Sequence, residues 1–313
     1  MNWVPEVASS FAGKVDGVLW FVTVLSIVFF ILITVLLIYF SFKYKRKTEN
    51  DYTPHITGNQ TLEIIWTVIP SILLFVIFAY GLIVYKEMRT PPGDAVEVNV
   101  TAKQWIWIFK YQNGKSTINE LFVQHNRPVK MVMRADDVLH SFFVPAFRVK
   151  QDLVPGMYTQ LWFKPTKVGT YDLFCAEYCG TGHSQMLAKV YVMSPEAFSR
   201  WEKGDEEEGT IGTAVAKASE ELGKDLYKNK GCIACHSIDG SVGVGPSLKA
   251  LFGKNESLQD GTTLEVDENY LRESILIPQA KVVSGFAPVM PAFKGILTDE
   301  EVDALIVYIK SLK

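Results

Sequence analysis

Two uncharged apolar runs, residues 18–40 (VLWFVTVLSIVFFILITVLLIYF) and 66–85 (WTVIPSILLFVIFAYGLIVY), restrict what this chain can fold into more than any other feature. Each is long enough to cross the hydrocarbon core of a bilayer as a helix, the form in which a segment satisfies its own backbone polar groups. Together they predict a transmembrane hairpin within an N-terminal region 1–90. Lys43, Lys45, Arg46 and Lys47 follow the first run, so the positive-inside rule puts the connection in the cytoplasm and both termini on the outer face of the membrane. A cleaved signal peptide fits poorly, because the only basic residue before the run is Lys14, the run is too long, and a basic cluster follows it. Trp20, Trp66, Tyr39 and Tyr85 stand near the span ends, where amphipathic rings anchor. Glu63, just before the second run, reads as an acid at headgroup level or as a proton-handling group at the edge of a partner's channel.

The rest of the chain is soluble in character. The net charge of the whole chain is −3, and no basic stripe interleaved with aromatics follows residue 90, which argues against nucleic acid as a partner. The 4 cysteines fall in two close pairs, 175/179 and 232/235, each near a histidine. Disulfides across such short loops would constrain the unfolded chain very little. Metal and cofactor chemistry explains the spacing better.

After Pro91, Pro92 and Gly93 the pattern changes to period two, with Val96, Val98 and Val100 alternating against Glu97 and Asn99. Strand-like runs follow at 105–111, 119–124, 129–134, 139–144, 158–164, 170–175 and 187–193. They predict an all-β domain over 91–200, an antiparallel sandwich or Greek-key barrel. Its outstanding segment is 175–186, CAEYCGTGHSQM, which gathers Cys175, Cys179, His183 and Met186 around two glycines. Soft sulfur with imidazole points to copper, zinc or iron–sulfur. This fold class brings distant strand ends to one edge, where His140 could join the set. Structural zinc needs four donors and no thioether, whereas a copper electron-transfer site uses thiolate, imidazole and a weak axial methionine. Two thiolates instead of one suggest two coppers sharing them.

The remote histidine followed by C-x-E-x-C-x3-H-x2-M resembles subunit II of the haem-copper cytochrome c oxidases, with a cupredoxin-like domain. The resemblance implies that the segment binds the binuclear copper centre CuA. Cys175 and Cys179 would then bridge both coppers, His140 and His183 would bind one each, and Met186 and the Glu177 carbonyl would complete the two spheres. It also implies a magnesium ion held through the Glu177 side chain at the interface with subunit I. Trp105 in the run Gln104-Trp105-Ile106-Trp107 would be where electrons arrive, while Trp107 reads equally as sheet core. The runs 136–141 (DDVLHS) and 154–156 (VPG) are also similar to that family, and Glu63 would lie near the mouth of a proton channel of subunit I.

The acidic and glycine-containing stretch 201–215 reads as a solvated linker. A domain 216–313 follows, opening on a helical pattern with Leu222, Leu226 and Tyr227 on one side. It leads into Cys232-Ile233-Ala234-Cys235-His236, where C-x-x-C-H is the attachment signal for c-type haem. Met290, between Pro288 and Pro291, is the natural distal ligand, and the run 243–248 (GVGPSL) could lie along the porphyrin. Thr298 to Glu301 resembles a capping box opening a last helix with Val302, Leu305, Ile306 and Ile309 on its apolar face. This all-α domain resembles class I cytochromes c, a fusion seen in oxidases of the caa3 type.

The resemblance therefore implies an electron-transfer subunit of a proton-pumping oxidase in a bacterial inner or plasma membrane, with both redox domains on the outer, periplasmic face. Electrons would run from an external donor through haem c and CuA to haem in subunit I, where oxygen is reduced. Implied partners are subunit I, subunit III, the lipid bilayer, and a donor such as a cytochrome c, a copper protein or a high-potential iron–sulfur protein. Two other readings stand beside it: the electron-accepting subunit of a CuA-containing nitric oxide reductase, and a non-catalytic copper-binding membrane protein.

Overall fold

The computed structural model describes residues 4–49, 51–52, 54–205 and 219–313. The part of the expected linker at 206–215, and the expected helix start at 216–218, lie outside the described residues. The chain divides into two compact units, one formed by Ser10–Thr90 and one by Met1–Ser9 with Pro91–Lys313.

The smaller unit is two helices, α1 (Ala12–Lys43) and α2 (Gln60–Arg89). Both are long and apolar enough to cross a membrane, and each exceeds its uncharged run because polar residues extend it at both ends. Asn59 opens α2 by accepting from the Leu62 N–H at 3.1 Å, which satisfies one of the donors a helix N-terminus leaves unpaired. Pro70 sits inside α2 without ending it. The helices run antiparallel, with Lys14 near the start of α1 paired to Glu87 near the end of α2. Phe21 meets Tyr80 edge-on at 6.1 Å, and a Cβ on Gly17 would come within 2.7 Å of the Tyr80 hydroxyl, so the glycine permits that contact.

The larger unit begins with two sheets. One has the strand order β3 (Ser116–Ile118), β2 (Ile106–Tyr111), β1 (Val96–Lys103), β5 (Val129–Ala135), β8 (Thr159–Phe163). The other has β4 (Glu120–Gln124), β10 (Leu187–Met193), β9 (Gly169–Cys175), β6 (His140–Val144), β7 (Val149–Leu153). Most pairs are antiparallel, but β1 with β5 and β10 with β4 are parallel, so the expected all-antiparallel pairing is corrected to a mixed one. The cause is connectivity: the two sheets exchange strands, as in a cupredoxin-like Greek key. Alternate residues of β5 (Val129, Met131, Met133, Ala135) are buried, joining Trp107, Phe109, Phe142, Phe147 and Phe163 in the core.

Helix α3 (Pro195–Lys203) follows, capped by Ser194 on the Ala197 N–H at 3.2 Å. It carries Trp201 into the sheet, 4.7 Å from both Tyr111 and Phe122. Residues 201–203, read from sequence as linker, are thus helical and anchored by a buried indole.

The C-terminal part is helical. Helices α4 (Glu220–Asn229), α5 (Glu268–Leu276) and α6 (Asp299–Ser311) surround a cavity, and β11 (Asn255–Ser257) and β12 (Thr263–Glu265) form a small hairpin. Helices α4 and α6 cross in close contact at Gly223, where a Cβ would lie 2.0 Å from the Ala304 carbonyl oxygen. Tyr227 and Tyr308 continue the contact with rings 5.7 Å apart. The capping box at Thr298 and Glu301 is present.

Candidate metal and haem centres

The pairing of β6 with β9 sets Phe142 opposite Cys175, which draws His140, at the head of β6, toward the end of β9. Two bonds tie the following loop down: Ala176 N–H to the Ser141 carbonyl at 2.9 Å, and Cys175 N–H to the Met186 carbonyl at 3.2 Å. The donors then form a chain of short separations. His140 Nδ1 lies 3.9 Å from Cys175 Sγ, the two sulfurs are 3.8 Å apart, Cys179 Sγ is 3.4 Å from His183 Nδ1 and 3.8 Å from Met186 Sδ, and the Glu177 carbonyl oxygen is 3.2 Å from Cys175 Sγ. Both cysteines are free thiols. His140, Cys175 and Cys179 are buried and hold their ligand atoms within 4.8 Å of one another. The set of two thiols, two imidazoles, a thioether and a carbonyl is a soft one, suited to copper.

Electrostatics around the thiols are asymmetric. Burial raises the Cys175 pKa, but hydrogen bonds from His140 and from backbone amides outweigh it and leave the group below its ordinary value. For Cys179, burial and the neighbouring Cys175 act in the same direction and push it up. Asp137 binds His140 Nε2 at 2.8 Å and also accepts from the Gln104 and Val138 backbone N–H groups at 2.7 Å each. Burial opposes the Asp137 anion, yet these bonds prevail and lower its pKa. For His140, burial likewise opposes the charge, and Cys175 and Asp137 outweigh it to raise the pKa. With Nε2 held by Asp137, Nδ1 is turned to the sulfurs, the orientation a carboxylate behind a ligating histidine enforces. Sequence offered Asp137 only within a resembling run; its signal is the spacing of three residues to His140.

Trp105 lies flat against the loop. Its Nε1 donates to the Cys179 carbonyl at 3.1 Å, beside a 2.7 Å bond from Gln104 Nε2 to the same oxygen. A Cβ on Gly182 would fall 2.5 Å from the Trp105 ring, so glycine is what lets indole and loop touch. Trp107 is fully buried and meets Phe142 edge-on at 5.8 Å and His140 at 6.4 Å, a packing position beneath the histidine. Glu177 is half-buried, and among the described residues no carboxylate belongs to a metal-ligand group. Glu63 lies exposed in the first turn of α2. Asp152 accepts from Ser141 Oγ at 2.7 Å.

In the helical part, Cys232, Cys235, His236 and Met290 line one cavity. Both cysteines are free thiols. His236 Nδ1 lies 2.8 Å from the Pro246 carbonyl, leaving Nε2 for a ligand. A Cβ on Gly245 would meet the His236 ring at 2.5 Å, which accounts for glycine in the turn expected along a porphyrin. Burial pushes the His236 pKa below its ordinary value despite the Pro246 bond, favouring the neutral imidazole that binds iron. Gln279 Nε2 donates to the Pro288 and Met290 carbonyls at 2.9 and 3.3 Å and holds the methionine segment in place. The cavity and its thiol pair suit a covalently held haem. Trp105, Gln104 and Ile106 also border it, an adjacency that sequence could not supply.

Residues 3–84 match the family "Cytochrome C oxidase subunit II, transmembrane domain", 116–193 match "Cytochrome C oxidase subunit II, periplasmic domain", and 220–313 match "Cytochrome c". Subunit 2 of the oxidase of Alkalihalophilus pseudofirmus is 32% identical over 283 residues, spanning 87% of this chain and 79% of that protein. The chain belongs to the cytochrome c oxidase subunit II family. A second relative, from Bacillus sp. PS3, is 33% identical over 295 residues and 80% of its length. The solved periplasmic domain of subunit II from Bradyrhizobium japonicum is 30% identical, spans 37% of this chain and 96% of that one, and superposes with a TM-score of 0.36. As a subunit II, the chain is the electron-transfer component of a haem-copper oxidase and passes electrons toward subunit I. It is a membrane protein with redox domains on the periplasmic side, and it works as part of a multi-subunit enzyme with other oxidase subunits.

Proposed function

We propose that this subunit II holds a binuclear CuA centre and one covalent haem c, and that electrons from an external donor reach the copper pair by way of the haem. The observation that carries this reading is the run of separations under 4 Å linking His140, Cys175, Cys179, His183 and Met186. Two thiols side by side, each with its own imidazole, match two metals sharing two bridges better than one tetrahedral ion. In this reading Cys175, Cys179, His140, His183, Met186 and the Glu177 carbonyl would hold the copper pair. Cys232 and Cys235 would carry the haem covalently, and His236 and Met290 would bind its iron. When bound, the two groups supply one-electron carriers of high potential.

The residues of the chain do the positioning. Asp137 fixes the His140 tautomer, Pro246 fixes that of His236, and Trp105 stands between the haem cavity and Cys179 as the residue through which electrons arrive. The Glu177 side chain serves as a magnesium ligand completed by subunit I, and Glu63 lies near the mouth of that subunit's proton channel. Partners are subunits I and III, and a soluble cytochrome c, copper protein or high-potential iron–sulfur protein as donor. Oxygen reduction and proton pumping belong to the assembled complex.

Metal analysis and electron paramagnetic resonance on the full chain test the reading. Two coppers with a delocalised mixed-valence signal and one iron per chain are expected. One copper with an ordinary localised signal would overturn it.

A further inference from the structure

The two redox domains share a seam whose centre is a buried cation. Lys230 follows α4 directly, its side chain is only 9% exposed, and its ammonium lies 2.6 Å from Glu120 of β4 and 3.8 Å from Glu301 of α6. A lysine so enclosed is unusual unless paired, and here one partner comes from the copper-binding domain and the other from the haem domain's own capping box. Around it the contact is close and specific. Asn119 donates to the Asn229 carbonyl at 3.2 Å, and a Cβ on Gly231 would strike Asn119 and Ile106, each at 2.9 Å. Ile106 and Ile118 of the sheet belong to the same buried cluster as Leu226 and Leu305. Cys232, one of the haem-attachment thiols, comes two residues after Lys230.

We propose that Lys230 is a positioning latch: by bridging Glu120 and Glu301 it holds the haem-bearing domain against the sheet, so that the haem cavity closes on Trp105. This rests on the proposed haem and copper sites. Lys230 also borders the haem cavity beside Cys232, whereas Glu120 lies in the sheet and is not among the residues that line it. A buried pair loses more when one partner is removed than the intact pair contributes, because the remaining charge stays desolvated. Removing Lys230 therefore leaves Glu120 and Glu301 facing each other, which drives the domains apart. A rate that depends on the docked fraction falls in proportion to that fraction.

The test uses the full-length chain in its assembled oxidase, with Lys230→Met, Lys230→Arg and Glu120→Gln. Electron transfer from haem c to copper is followed after photoreduction of the haem, and hydrogen exchange is followed at residues 118–120 and 229–231. In Lys230→Met the transfer rate is expected to drop about tenfold or more, with the copper potential unchanged and exchange protection lost at those two segments, and Glu120→Gln, outside the haem cavity, is expected to slow transfer with both potentials unchanged. Lys230→Arg, which keeps the charge, is expected to retain most of the rate. The wild-type rate is expected to be nearly independent of salt, as buried pairs are weakly screened. An unchanged rate and unchanged protection in Lys230→Met, with both centres present, overturn the latch. If Lys230→Met does not assemble, Glu120→Gln carries the same expectations and the same refutation. Absence of the haem or CuA signal from the wild-type protein would instead sink the proposed sites.

Discussion

The indole N–H of Trp105 donates to the carbonyl oxygen of Cys179 at 3.1 Å, and Trp105 is also among the residues that border the cavity of His236 and Met290. One residue thus belongs to both the metal loop's surroundings and the haem chamber. Trp105→Phe keeps a ring against Gly182 but loses the bond. The Cys179 oxygen still accepts from Gln104, so stability is expected to change by about 1 kcal/mol. Copper content should stay intact while transfer between the two centres slows, which rapid-mixing spectroscopy of haem oxidation would show.

Removing the carboxylate behind His140 should act on the metal and, because Asp137 also accepts from the Gln104 and Val138 backbone N–H groups, cost the fold about 1–3 kcal/mol. Asp137→Ala leaves His140 Nε2 without its 2.8 Å partner. Loss of such an orienting group typically lowers metal affinity by about 10–100-fold. Copper titration of the variant, compared with its thermal unfolding, measures the two effects separately.

Copper removal should expose an order of reactivity between the two thiols. Burial raises Cys175, but its bonds to His140 and to backbone amides bring it below the ordinary thiol value, while burial and Cys175 together raise Cys179. Thiolate is the nucleophile, so Cys175 is expected to be alkylated first near neutral pH, and copper to protect it. Peptide mapping after timed alkylation reads the order, and modification of Cys179 first would contradict it.

Two glycines sit where a methyl group has no room. Gly223→Ala would place a Cβ 2.0 Å from the Ala304 carbonyl, against helix backbone that cannot step aside. Gly182→Ala would place one 2.5 Å from the Trp105 ring. Overpacking typically costs about 1–3 kcal/mol. The first is expected to lower the melting temperature followed at the haem absorption, and the second to disturb the copper spectrum with the haem unaffected.

The hairpin and most strands were legible because hydropathy and period two are written into consecutive residues. The donor set was legible because His183 and Met186 lie within one short loop of the thiols. Strand β3, only Ser116–Ile118, is too short to show a period, and β7 (VKQDL) has a half-polar pattern that reads as loop. Helix α3 carried its start signal in Ser194 and Pro195, but the acids after Trp201 read as linker. The seam between domains left no local mark: Lys230 looks like any surface lysine until Glu120 and Glu301, each far away in sequence, are folded against it.

Sheet pairing holds His140, opposite Leu153 of β7, and Cys175, opposite Phe142 of β6, whereas Cys179, His183 and Met186 all ride on the loop that follows. Two of the five side-chain donors are therefore part of a finished sheet and three form a flap over it. Small metal-dependent domains differ, since their ligands gather only as the whole chain folds around the ion. Here one loop lies over a floor that the sheet supplies, tied to it by the Ala176 and Cys175 N–H groups.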